Sequence, residues 1–121
     1  MFEFDEEKRF HLTRGQAGTL TITSTKGNFK TGDILKLSIV EKGKYDQVVF
    51  QKKVEITEEG IIAKIPLSSK ETKIGEVISN KKTYYYEVEL NGEDHLICHD
   101  ASGAKELILY PEAGDMKEGN N

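Results

Sequence analysis

A single cysteine, Cys98, is present in the 121 residues, so no intrachain disulfide can form. The fold must rest on its core alone, in a reducing compartment or in an assembly that needs no staple. Long apolar runs are also missing. None approaches the roughly 20 residues that a bilayer span requires. The opening MFEFDEEKRF is acidic and has neither the basic n-region nor the apolar h-region of a secretory signal. Nor is positive charge clustered. Seventeen Lys and Arg stand against 21 Asp and Glu, and the signs interleave, as in KGKYDQVVFQKKVEITEE. A phosphate-binding face needs a basic patch. The sequence therefore predicts neither a nucleic-acid nor a membrane partner. No internal repeat, heptad or low-complexity block is visible.

What is present is a period of two. TLTITST sets Leu20 and Ile22 on one face and Thr19, Thr21 and Thr23 on the other. ILKLSIV groups Leu35, Leu37 and Ile39, with Lys36 and Ser38 opposite. VVFQKKVEI places Val48, Phe50, Val54 and Ile56 in phase, and Lys52 breaks that face, which suggests a bulge or an edge. IIAKIPL groups Ile61, Ala63, Ile65 and Leu67, and Pro66 marks an edge or a strand end. TYYYEVEL sets Tyr84, Tyr86, Val88 and Leu90 against Tyr85, Glu87 and Glu89. This alternation belongs to half-buried strands.

Between the runs lie turn residues: KGNFKTGD, EKGKYDQ, TEEG, NGED and ASGAK. SSKETKIGEVISN, residues 68–80, breaks the alternation. Ser68 or Ser69 suits a cap for one short helical turn or 3₁₀ piece that crosses between sheets. ELILY is the last strand. Seven or eight short strands at this spacing predict an all-β, immunoglobulin-like antiparallel β-sandwich, with a small barrel as the alternative. One domain is expected over residues 1–112, with 113–121 as a flexible C-terminal tail.

The densest cluster of chemical groups is EDHLICHD, residues 93–100. On a helix His95, Cys98 and His99 share a face. On the return strand of an Asn91-Gly92 hairpin they do not. There His95 and His99 lie about 13 Å apart, at roughly 3.3 Å per residue, and Cys98 turns with Leu96 to the other face. Such a pair cannot chelate one ion, and the spacing matches no zinc pattern. TRGQAG lacks the spacing of a phosphate loop and reads as a kink at Gly15 between two strand segments. The sequence thus predicts no catalytic residue, no cofactor and no metal site. Tyr84 and Tyr86 pack inside. Tyr45, Tyr85 and Tyr110 remain as candidates for an interaction surface, either for proteins or for stacking on a carbohydrate.

Several segments together, FHLTRGQAGTLTIT, IPLSSKETKIGEVISNKKTYYYEVEL and GAKELILYPEAGD, carry a resemblance over almost the whole chain. They resemble the immunoglobulin-like N-terminal domain of the upper baseplate protein of tailed phages and prophages. The family pattern has a leading T-R-G-D, a D-T before a glycine, a tyrosine-rich Y-x-Y-D-I strand and a closing L-Y-P-E. Here Gln16 stands for the Asp, Glu71-Thr72 for Asp-Thr, and Glu87-Val88 for Asp-Ile. The resemblance implies a non-enzymatic tail or baseplate part whose partners are other phage structural proteins or further copies of itself. It would be found in the bacterial cytoplasm during assembly and then in the virion tail.

Overall fold

The computed structural model describes residues 2–7, 9–25, 27–97 and 105–113. Nine strands and no helix are present among them: β1 (Glu3–Phe4), β2 (Phe10–Thr13), β3 (Gly18–Thr23), β4 (Ile34–Glu41), β5 (Lys44–Glu55), β6 (Ile62–Leu67), β7 (Lys82–Leu90), β8 (Asp94–Ile97) and β9 (Lys105–Tyr110). They form two sheets. The larger runs β1-β2-β9-β7-β4-β5, and β8 also pairs with β7. The smaller is β3-β6. β9 and β8 share one side of β7, with β9 along Lys82–Tyr86 and β8 along Val88–Leu90. All pairs are antiparallel except β2 with β9, which run parallel.

The two sheets bury one core between them, which makes the molecule a β-sandwich. Leu20 and Ile22 of β3 and Ala63, Ile65 and Leu67 of β6 come from the small sheet. Phe10, Leu12, Leu35, Leu37, Ile39, Tyr84, Tyr86, Val88, Leu107 and Leu109 come from the large one. Each is a residue of the apolar phase of its strand. Burying such a side chain stabilises the fold by about 1.5–3 kcal/mol. A one-residue slip would expose a whole set at once, so the pattern locks the register.

The chain changes sheets at Arg14-Gly15. β2 ends in the large sheet, Gly15 takes a φ of +87°, and β3 begins in the small one. The Gln16 amide donates to the Thr13 carbonyl at 2.9 Å, and the Thr13 amide donates to Gln16 Oε1 at 3.0 Å. This is the kink expected at Gly15. The crossover 68–80 returns the chain to the large sheet without a helix. Ser68 and Glu71 cap one another there: the Ser68 amide donates to Glu71 Oε1 at 2.9 Å, and the Glu71 amide donates to Ser68 Oγ at 3.1 Å. These bonds, with Lys52 beside them, hold the Glu71 carboxyl below its ordinary range.

Three details differ from the simple alternation. Ser38 is buried although it lies on the outer face, because Gln51 of β5 reaches over and donates to its hydroxyl at 3.2 Å. Ile61 precedes β6 and is 50% exposed rather than part of the inner row. Val48 is out of phase with Phe50: Phe50 pairs with the inward Ile39, whereas Val48 pairs with Val40, and the register shifts between them. The expected bulge is therefore present, and β5 is an edge strand. Lys52 points inward from that edge. Its Nζ reaches Glu71 Oε1 at 2.9 Å and the Pro66 carbonyl, and so clips the large sheet to the end of the small one.

The Asn91-Gly92 hairpin forms as expected, with both residues at positive φ (53° and 71°). Asn91 also accepts from the Ile34 amide at 2.9 Å, which ties the turn to the start of β4. The cysteine, His99, Asp100, the ASGAK turn up to Ala104 and the tail from residue 114 lie outside the described residues. So do the side chains of Asp94, His95 and Ile97.

Candidate functional site

The outer face of the large sheet carries the candidate surface. One cross-strand row runs Val48 (β5), Val40 (β4), Tyr85 (β7), Glu106 (β9). Outer faces of a sandwich alternate toward polar residues, so two valines and a tyrosine in one row depart from the rule. The β4–β5 hairpin adds a fourth member. Glu41 pairs with Lys44 and Val40 pairs with Val48, which leaves Tyr45, Asp46 and Gln47 without partners on β4. That irregularity brings Tyr45 back across β4, so that its ring centroid lies 5.7 Å from that of Tyr85 at a tilt of 36°. Bulges re-aim side chains in this way.

The exposures follow from that geometry. Val40 is only 8% exposed despite its outward direction, whereas Tyr45 is 57% and Val48 49% exposed. Lys42 Nζ pairs with Glu106 Oε2 at 3.4 Å on the rim. An aromatic and aliphatic centre with charges at its margin is the usual anatomy of a protein contact surface. A tilted pair of phenol rings can also stack on a sugar. Tyr45 and Tyr85 are thus brought together. Val40 and Val48 belong with them, and the loss of alternation around Val48-Val49-Phe50 is the sequence signal that points to them.

Tyr110 lies elsewhere. Its hydroxyl is 2.8 Å from His11 Nδ1, and His11 Nε2 is 2.9 Å from Asp5 Oδ2. With Nε2–H donating to the carboxylate, a neutral ring accepts the phenol proton at Nδ1. Asp5 also accepts from Arg9 Nε at 2.6 Å and from the amides of Glu7 and Arg9 at 2.9 and 3.0 Å. The order carboxylate, imidazole, hydroxyl is that of a proton relay. Here the His11–Asp5 bond also joins the N-terminal arm, residues 2–7, to β2, and the His11–Tyr110 bond joins β2 to β9. Phe2 and Phe4 of the same arm pack on Phe10, with ring centroids 5.2 and 4.7 Å away. The cluster acts as a staple.

The His11 contact, aided by Arg9 and two backbone amides, drives the Asp5 carboxyl far below its ordinary value. A lowered carboxyl pKa stabilises the fold fully above the unfolded value near pH 4 and loses that contribution as pH falls toward the folded value. Asp5→Asn is therefore expected to lower the melting temperature at pH 7. The gap to the unaltered protein should narrow below about pH 4. Thermal melts of both proteins across pH 2–7 check this, and a gap of constant size would contradict the assignment.

The segments that carry the family resemblance meet at one end of the sandwich. Buried Arg14 donates from Nη2 to the Gly75 carbonyl at 3.3 Å, and its amide donates to the Tyr110 carbonyl at 2.9 Å. Thr72 is fully buried and donates to the Gln16 carbonyl at 2.9 Å. Glu112 lies against Gly15, and Lys73 pairs with it at 3.9 Å. These residues join the two sheet crossovers to β9. Their side chains serve the scaffold.

His95 begins its stretch on β8 opposite Glu89, as a strand reading requires. Among the described residues no group of three or more His, Cys, Asp or Glu side chains is placed to hold a metal ion. Among them, too, no helix is long and apolar enough to cross a membrane. No family model matches the chain, and comparison with curated proteins and with solved structures returns no significant match.

Proposed function

We propose that the chain is a non-enzymatic, immunoglobulin-like adaptor module of a phage or prophage tail or baseplate, acting through protein–protein contacts. The observation that carries the contact role is the Tyr45–Tyr85 pair, seated with Val40 and exposed Val48 on the outer face. The strand order supports the immunoglobulin-like part: β9-β7-β4-β5 follows the G-F-C-C′ order of a variable-type sheet, opposite the two-stranded β3-β6. The phage part rests on the resemblance of the T-R-G, Y-x-Y and L-Y-P-E segments. Such a module would meet its partners in the bacterial cytoplasm during assembly and stay with them in the virion tail.

The test is a binding titration of the purified protein against the structural proteins encoded beside its gene. Truncating a central aromatic anchor costs about 2 kcal/mol or more. Tyr45→Ala with Tyr85→Ala should therefore weaken binding by more than about tenfold while leaving the melting temperature nearly unchanged. Failure of the unaltered protein to bind any of those neighbours would sink the proposal. The same ring pair favours one second reading, a carbohydrate-binding sandwich. Glycan-array binding that is abolished by the double substitution would move the conclusion there.

A further inference from the structure

The small sheet is narrower than the face it covers. Leu35, Leu37 and Ile39 of β4 are fully buried. Beside them the inward residues of β5, Phe50, Lys52 and Val54, are only half-buried. A groove of about 680 Å³ lies between the end of β5 and the start of β6, with Val54, Ile56, Ile61 and Ile62 in its lining. Ile61 and Ile62 are large apolar side chains left exposed there.

The backbone beside the groove is open too. The Ser24 amide donates to the Ile61 carbonyl at 2.7 Å, which fixes the phase of the β3–β6 ladder. Bonding alternates along an antiparallel pair, so Ala63, Ile65 and Leu67 bond to β3, while Ile62, Lys64 and Pro66 turn their backbone groups away from it. On that far side Gly60 and Phe29 exchange both bonds, at 2.7 and 3.3 Å, and close one end. Pro66 has no amide, and Lys52 takes its carbonyl, which closes the other end. Between these ends the amides and carbonyls of Ile62 and Lys64 have no partner among the described residues. An edge guarded at both ends and bare beside an apolar groove has the form of a strand-addition site.

We infer that the bare edge of β6 takes an extended segment of a partner protein, basic and alternately apolar, as a third strand of the small sheet. Charge selects this occupant. Glu55, Glu58 and Glu59 stand at the groove, all exposed, and none makes an ion pair among the described residues. Lys64 is the one cation in the lining. A strand laid on this edge turns one row of side chains toward Val54 and Ile56 and the other toward solvent. Branched apolar residues suit the first row. Lysine or arginine suits the second, beside three unpaired carboxylates. The apolar row covers the side of β5 that the small sheet leaves half-buried. The site lies between the two sheets, apart from Tyr45 and Tyr85 on the outer face, so it goes beyond the adaptor reading and stands without it.

Amide hydrogen exchange followed by NMR tests the inference, with a capped peptide of alternating lysine and valine about six residues long as the probe. In the free protein the Ile62 and Lys64 amides should exchange fast, and those of Ala63 and Ile65, bonded to β3, slowly. The peptide should bind and slow Ile62 and Lys64 selectively. A peptide of alternating glutamate and valine should not bind. Glu58→Lys with Glu59→Lys should weaken lysine-peptide binding by about tenfold or more. Lys64→Pro removes an amide that bonds to nothing within the protein, and should lose the peptide while circular dichroism shows the fold retained. Lys64→Ala should keep it. No peptide binding, equal binding of the two peptides, or slow exchange of Ile62 and Lys64 in the free protein would overturn the inference. So would a dimer in sedimentation velocity that Lys64→Pro abolishes, because the occupant would then be a second copy. Tyr45→Ala with Tyr85→Ala should keep the peptide while losing tail-protein binding. Loss of the peptide in that variant would place it on the tyrosine patch and overturn the site.

Discussion

Tyr86→Ala should lower the free energy of unfolding by about 3–5 kcal/mol. Tyr86 is 1% exposed in the middle of β7, paired with Ile39 on one side and Lys105 on the other. Its ring meets Phe10 edge-on at 5.6 Å and Phe4 at 6.5 Å. Truncation leaves a ring-sized cavity between rigid strands that cannot close around it, and removes a partner of the aromatic cluster that seats the N-terminal arm. Domains of this size are stable by only about 5–15 kcal/mol in total, so the variant should be near its folding limit at 37 °C. The neighbouring Tyr85→Ala, on the outer face, should cost about 1 kcal/mol or less. Urea titrations of the two variants measure the contrast. Equal costs would contradict the assignment of their faces.

Gly75→Ala should be the second large effect, at about 2–4 kcal/mol. Gly75 has a φ of +64°, and a Cβ built on it would lie 2.7 Å from the Tyr84 hydroxyl. The left-handed conformation alone costs an alanine roughly 1–2 kcal/mol. The remainder comes from displacing Tyr84, which is 1% exposed and cannot swing into solvent. Two further variants separate these contributions. Gly43 has a φ of +76° with nothing within 4 Å of its Cβ position, so Gly43→Ala should show the backbone cost only. Tyr84→Phe removes the hydroxyl in the way, so Gly75→Ala should cost less in that background. A double-mutant cycle with no coupling would show that the hydroxyl is not the obstacle.

The sandwich was legible because its strands are half-buried. Leu20, Ile22, Leu35, Leu37, Ile39, Tyr84, Tyr86 and Val88 all lie inside, where the period of two put them. Steric preference and burial agree along those segments, so local pattern and global fold say the same thing. The hairpin at Asn91-Gly92 and the kink at Gly15 were legible for a similar reason, since both need positive φ. β5 was not. Its alternation fails at Val48-Val49-Phe50 because of a bulge, and one residue of slip moves Val48 from the expected inner row to the outer face. Sequence spacing cannot say where the ladder absorbs such a residue.

The tyrosine patch was half legible. Composition singled out Tyr45, Tyr85 and Tyr110 alike, but only tertiary pairing separates them. Tyr45 and Tyr85 lie on adjoining parts of one face, whereas Tyr110 is taken by His11 from the far end of the chain. Ser38 shows the same limit: a polar residue on an outward position is buried because a long neighbour, Gln51, covers it. The parallel pairing of β2 with β9 was hidden as well, because nothing local to either strand distinguishes a parallel partner from an antiparallel one.

That parallel pair also governs when the fold can finish. His11 and Tyr110, bonded across it, are 99 residues apart in the chain. β2 waits beside an empty position until β9 arrives, while the β4–β5, β4–β7 and β7–β8 pairings can form from nearer segments. Among the described strands β9 is the last in sequence, and it both completes β7 and captures β2. Closing so long a loop is what makes folds rich in distant pairings slow. Until then Phe10 and Leu12 have no sheet to enter, and the N-terminal arm that packs on Phe10 has no seat. Closure therefore comes late in folding, and the seat of the N-terminal arm on Phe10 comes with it.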